Sequence, residues 1–129
     1  MNNKNIFVIV MVLLIMGVGV VAFFRSPAGP VEPGKYDEFA QCIADSGATF
    51  YGAYWCSHCK AQKEMFGTSA KLLPYVECST LDGRSQVQAC IDKNIEGYPT
   101  WEFADGSRLS GEVALTVLAE KTSCTLPLE

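Results

Sequence analysis

The sequence predicts an α/β domain, a mixed sheet flanked by helices, set behind one N-terminal transmembrane helix. Three observations predict it. From residue 36 onward, helical and strand patterns alternate in the order α-β-α-β-α-β-β-α. Asp105-Gly106 marks a tight hairpin near the end of that series. Residues 6–24, IFVIVMVLLIMGVGVVAFF, run for 19 residues without a charge. Helices between strands, with a closing hairpin, imply a sheet that is not purely parallel.

The apolar run comes first. At about 1.5 Å per helical residue it nearly matches a hydrocarbon core of roughly 30 Å. Lys4 precedes it and Arg25 follows it. A signal peptide would have a shorter apolar region, about 7 to 15 residues, and a small-x-small site. Ser26-Pro27-Ala28 is a poor version of such a site, so residues 1–25 read as a retained anchor. Residues 26–35, SPAGPVEPGK, hold three prolines and two glycines. They read as a stiff spacer. Residues 36–129 are then the folded domain.

Within that domain, Tyr36, Phe39, Ala40 and Ile43 recur at helical spacing, and Gly47 closes the helix. Residues 48–54, ATFYGAY, form a strand leading into a cysteine motif. Residues 56–66 read as a helix that stops at Gly67, and 73–77, LPYVE, as a short strand. Ser85 is placed to cap a helix carrying Val87, Cys90 and Ile91 on one face. A strand at 99–103 pairs through the hairpin with 107–110. Val113, Val117 and Leu118 mark a last amphipathic helix. Leu72, Leu73, Val76, Phe103 and Leu118 are core candidates.

Charge and cysteine content narrow the function. Residues 26–129 hold 8 basic and 14 acidic residues, a net charge of −6. An acidic domain without a basic stripe is a poor nucleic-acid binder. Six cysteines in 129 residues, behind an apolar N-terminus, indicate an oxidising compartment. The domain is therefore expected outside the cytoplasm, in a periplasm, a lumen or at an outer face.

The chemistry centres on Trp55-Cys56-Ser57-His58-Cys59. Cysteines three apart at a helix start face one side, close enough to form and break a disulfide. Cys56 at the helix N-terminus gains from unpaired amides and the helix dipole, which favour its thiolate. Cys59, one turn in, would resolve the mixed disulfide. His58 is the single histidine of the chain. Beside Cys56, an imidazole that stabilises the thiolate makes the disulfide a better oxidant; the bland alternative is a solvated helix residue. Downstream, Gly97-Tyr98-Pro99-Thr100 enters a strand. A cis bond at Pro99 would expose the Tyr98 backbone to an extended peptide, while a trans bond is the commoner state. Trp55, Tyr54 and Trp101 are candidates for a substrate groove, although aromatics in strands are more often core. Trp55, next to the nucleophile, is the functional choice.

WCSHC followed by GYPT resembles the thioredoxin superfamily. More closely, YGAYWCSHCKAQKEMFG, PYVEC and EGYPTW resemble the thioredoxin-like domain that accompanies vitamin K epoxide reductase homologues. In cyanobacteria and chloroplasts that domain is fused behind the reductase's membrane bundle. The resemblance spans roughly residues 36–122. It implies a thioredoxin-like fold, Cys56 and Cys59 as the exchanging pair, and Pro99 as a cis proline. It also implies disulfide donation to cysteine-containing proteins, with electrons passed to a reductase-like membrane partner. No further cofactor is implied. Two departures stand out. The chain has one candidate span and no reductase bundle, so such a partner would be a separate protein. Phe50 stands six residues before Cys56, where thioredoxins carry a buried aspartate.

Four cysteines remain, and three pairings are open to them. Their placement in the resembling family suggests Cys78–Cys90, with a second, electron-relaying redox pair as the alternative. Cys42 and Cys124 pair if the first and last helices of the domain are neighbours. A zinc site using Cys56, Cys59, Cys78 and Cys90 is disfavoured by spacing and compartment. Haem attachment fails because Lys60, not histidine, follows Cys59. The remaining functional alternatives are a tethered reductant, a disulfide isomerase and a redox-inert peptide-binding module.

Overall fold

The computed structural model describes residues 2–24 and 33–128, with side chains for 2–15 and 33–128. Arg25, Glu129 and most of the expected spacer lie outside the described residues. The chain divides into two compact units, Met1–Glu32 and Pro33–Glu129.

The first unit is helix α1, Asn3–Phe24, of 22 residues. Its apolar side chains from Ile6 to Ile15 are exposed. Among the described residues, no helix is long and apolar enough to cross a membrane.

The second unit holds α2 (Asp37–Asp45), β1 (Thr49–Gly52), α3 (Ser57–Glu64), β2 (Tyr75–Glu77), α4 (Gln88–Asp92), β3 (Thr100–Glu102), β4 (Arg108–Ser110) and α5 (Leu115–Thr122). The strands form one sheet in the order β2-β1-β3-β4. The β1–β2 pair is parallel, and β1–β3 and β3–β4 are antiparallel. The α/β mixed sheet flanked by helices is therefore present, in the expected order.

The elements follow from local chemistry. Asp37 and Glu38 in the first turn of α2 suit its positive end. Gly47 leaves that helix at φ +83°, a region costly for other residues. Successive residues of β1 point to opposite faces, so the sheet has a core on each side. Phe50 stacks on its register partner Trp101 at 4.7 Å between ring centroids. Ile43, Phe39, Phe66 and Leu118 pack in that same cluster. Tyr51 points the other way, to a smaller cluster with Cys78, Cys90 and Ile95. Phe50, six residues before Cys56, thus fills the main core.

Several details differ from the sequence reading. α3 ends at Glu64, and Gly67–Leu72 forms a 3₁₀ helix that the pattern did not announce. Ser85 does not cap α4. Val87 holds that place without a side-chain bond, and the Ser85 carbonyl accepts from Thr80 N at 2.9 Å. Ile91 and Val117 are exposed rather than inward, and Val113 is buried ahead of α5. Of the core candidates, Leu73, Phe103 and Leu118 are buried, whereas Leu72 and Val76 are half-buried.

Candidate active site

β1 delivers the chain into a turn in which Cys56 N donates to Ala53 O at 3.0 Å. Cys56 is the N-cap of α3, with extended backbone at φ −78°, ψ 115°. Its sulfur accepts the Cys59 amide at 3.1 Å. That amide is one of the groups a helix start leaves unpaired, and it is donated to the outer sulfur of the pair. Both sulfurs are free, and both residues are largely shielded from solvent, Cys59 at 2 % exposure and Cys56 at 8 %. Burial, reinforced by its contact with Cys56, pushes the Cys59 thiol up to about 12. The two thiols are therefore inequivalent, the outer one solvated by an amide and the inner one held protonated.

A glycine makes the back of the site possible. A Cβ on Gly52 would lie 2.7 Å from Tyr75 Cε2 and 3.0 Å from Cys59 Sγ. The strand thus lets the Tyr75 ring and the Cys59 sulfur approach the same spot. Tyr75 donates its hydroxyl to Glu77 Oε2 at 2.7 Å, and Lys63 Nζ sits 3.3 Å from the ring centroid. Burial, then the Glu77 contact, raises the Tyr75 hydroxyl well above its usual range.

The front of the site is an open groove of about 520 Å³, lined by Trp55, Cys56, His58, Glu96 and Tyr98. The Tyr98–Pro99 peptide is cis. Pro99 itself is fully buried, and Tyr98 supplies the groove wall. Trp55 is more than half exposed, with its indole N–H donated to Ser79 Oγ at 2.9 Å. Its ring meets Tyr98 edge-on at 5.9 Å. Of the other two aromatics considered, Tyr54 is exposed beside the groove and Trp101 is core.

His58 lies on the exposed face of α3. Its Nδ1 is 2.6 Å from Glu112 Oε1, a residue 54 positions away. Glu112 escaped sequence reasoning, as did Gln62. Gln62 is fully buried one turn after Cys59. Its Oε1 accepts Val113 N at 2.6 Å, and its Nε2 donates to Val113 O at 3.0 Å. Trp101 Nε1 reaches the same Oε1 at 3.4 Å. A glutamine at that point on an otherwise polar helix gives no sign in sequence that it faces inward.

The other four cysteines are bonded as Cys42–Cys124 and Cys78–Cys90, with Cα separations of 5.9 and 5.7 Å. α2 and α5 are neighbours, which brings the first pair together. Bonded to each other, Cys78 and Cys90 are not available as thiolates for zinc, and no cluster of metal ligands occurs among the described residues.

A mixed sheet with a free, inequivalent cysteine pair at a helix N-terminus, beside a cis proline, defines a dithiol protein of the thioredoxin class. The thioredoxin family matches residues 31–122, and the chain belongs to that family. It is 52% identical over 91 residues to a protein of Arabidopsis thaliana named thiol-disulfide oxidoreductase LTO1, covering 67% of this chain and 24% of that protein. It is 36% identical over 84 residues to the thioredoxin domain-containing protein 5 homolog of Drosophila melanogaster, covering 56% of this chain and 19% of that protein. The chain thus spans about a quarter or less of the length of these relatives.

Proposed function

We propose that the chain is a membrane-tethered thiol-disulfide oxidoreductase that donates disulfides to extracytoplasmic proteins. The observation that carries this reading is the asymmetry of the cysteines. Four are bonded, and the remaining two stand free at the α3 N-terminus beside an open groove. The name of the Arabidopsis relative supports the same chemistry. Anchoring is supported by the charge-free apolar run of residues 6–24 in the sequence. Two bonded pairs support an oxidising compartment.

In this mechanism the oxidised pair is the reagent. A substrate thiolate attacks Cys56 Sγ, the Cys56–Cys59 bond breaks, and Cys59 leaves with the electron pair and takes a proton. Its high proton affinity favours that capture. A second substrate thiolate then attacks the substrate sulfur of the mixed disulfide. Cys56 leaves as a thiolate, held by the Cys59 amide. The substrate has lost two electrons and the pair has gained them. A membrane oxidoreductase resembling vitamin K epoxide reductase is the proposed acceptor that reoxidises the pair. Trp55 and Tyr98 would hold the substrate segment across the groove.

One observation favours a second reading, that of a tethered reductant. Glu112 engages His58 Nδ1, so the imidazole is partnered by a carboxylate rather than free to support a Cys56 thiolate. The reduction potential of the full chain, measured in glutathione buffers, separates the two. A value between about −120 and −200 mV is expected for a donor or isomerase, and a value near about −270 mV or below overturns donation. Loss of thiol exchange in Cys56→Ser, with peptide binding retained, is expected of the catalyst. An unchanged function in that variant would mark a redox-inert binding module.

A further inference from the structure

The loop between β2 and α4 has no part in the disulfide chemistry, yet it is built against the active-site aromatics. Ser79 pairs with Gln86 across its base, and Cys78–Cys90 closes it from below. Thr80 N donates to Ser85 O at 2.9 Å, Gly83 N to Thr80 O at 2.8 Å, and Thr80 Oγ1 to Asp82 Oδ1 at 2.6 Å. Gly83 has φ +70°, and a Cβ there would lie 2.8 Å from the Tyr54 hydroxyl. That hydroxyl reaches Leu81 O at 3.4 Å, and the Trp55 indole is tied to Ser79. The loop therefore props Tyr54 and Trp55 out into solvent. At its tip it presents Leu81, which is fully exposed. Preorganised aromatics cost little further ordering when a partner binds.

The carboxylates dominate the linings of the two grooves on this face, where His58 is the one basic side chain and the exposed Arg84 of the loop lines neither. Glu77 and Asp82 line a groove of about 660 Å³ beside the loop, and Glu96 lines the one over Cys56. No lysine or arginine lines either groove. Trp55 stands on the boundary, lining the Cys56 groove while bonded to Ser79, which lines the other. Extended chain lying over Cys56 thus passes an apolar platform beside the carboxylates of Glu77, Asp82 and Glu96.

From this we infer that Tyr54, Trp55 and loop 79–86 select the substrate: cysteine-bearing peptide segments with a bulky apolar residue and Lys or Arg near the cysteine. The inference rests on the disulfide-exchange reading above. Opposite charge raises the rate of encounter, and the apolar side chain covers Leu81 and Trp55.

The test uses the oxidised full chain and four single-cysteine peptides. They carry leucine or alanine two residues from the cysteine, each with lysine or glutamate flanks. Glutathione is the small-thiol reference, and the second-order rate of thiol consumption is the readout. The leucine–lysine peptide is expected to react about tenfold faster than its glutamate twin at low salt, with the gap shrinking at high salt. Leu81→Ser is expected to remove the leucine preference, and Glu96→Gln to narrow the charge preference. Equal rates for all four peptides, with glutathione reacting, overturn the inference and leave the disulfide chemistry standing. Inert glutathione and peptides together overturn both. A chain that is dimeric in solution, and that Leu81→Ser returns to monomer, would assign the platform to a second copy and overturn the inference.

Discussion

Replacing Gln62 by leucine removes one amide and almost nothing else. The side chain is fully buried and clamps the Val113 backbone by two hydrogen bonds, 2.6 and 3.0 Å long. Leucine fills similar space but leaves the Val113 N–H and C=O without partners in a buried place. An orphaned buried polar group costs about 1–3 kcal/mol, so two cost about 2–6 kcal/mol. The longer contact from Trp101 Nε1, at 3.4 Å, adds little. Small domains have about 5–15 kcal/mol in total, so the loss is a large share. With about 4–8 °C of Tm per kcal/mol for a domain of this size, Tm falls by about 8 °C or more. Chemical denaturation of both proteins in the same oxidised state measures the difference directly. A loss below about 1 kcal/mol would refute the reasoning, because Val113 would then have another partner or access to water.

Three further outcomes are expected. Gly52→Ala forces the Tyr75 ring or the Cys59 sulfur to move, costs about 1–3 kcal/mol, and slows thiol exchange; an unchanged rate and Tm would contradict the close approach. Serine replacement of Cys42 and Cys124 removes a cross-link spanning 82 residues, worth about 4.5 kcal/mol by loop entropy. The same change at Cys78 and Cys90 removes one spanning 12 residues, worth about 3 kcal/mol, so denaturation midpoints should rank the two variants in that order. The Cys59 thiol is raised from 9.0 to about 12, so the folded form holds its proton more tightly than the unfolded chain does. That contribution is whole below about pH 9 and is lost as pH climbs toward about 12. Stability of the reduced protein should therefore fall across that window, and Cys59→Ser should flatten the fall.

Local patterns were readable where one short stretch fixes the geometry. The alternation at Tyr36 to Ile43, the Asp105-Gly106 turn and the Cys56–Cys59 spacing each specify their own backbone. What sequence did not disclose depends on residues far apart in the chain. Glu112 reaches His58 across 54 positions, and Gln62 meets Val113 across 51. Neither residue type announces its partner. Ser85 reads as a cap because serine favours that role, yet the pairing of Ser79 with Gln86 draws it into a loop instead. Ile91 and Val117 follow helical spacing but fall on short helices whose buried stripe is one residue wide. The resemblance to thioredoxins carried what spacing alone left open, the cis bond before Pro99 among it.

The Cys42–Cys124 bond has a mechanical consequence. It joins the first helix of the domain to the segment just past its last, so the sheet and the cysteine pair lie inside a covalent ring. A pull applied through the two chain ends is carried across that sulfur bridge and bypasses the strands. The 82-residue separation corresponds to about 290 Å of fully extended chain that such a pull cannot draw out. A domain pulled through its flanking segments thereby keeps its reactive centre out of the load path. Reducing that one bridge would place the centre in it.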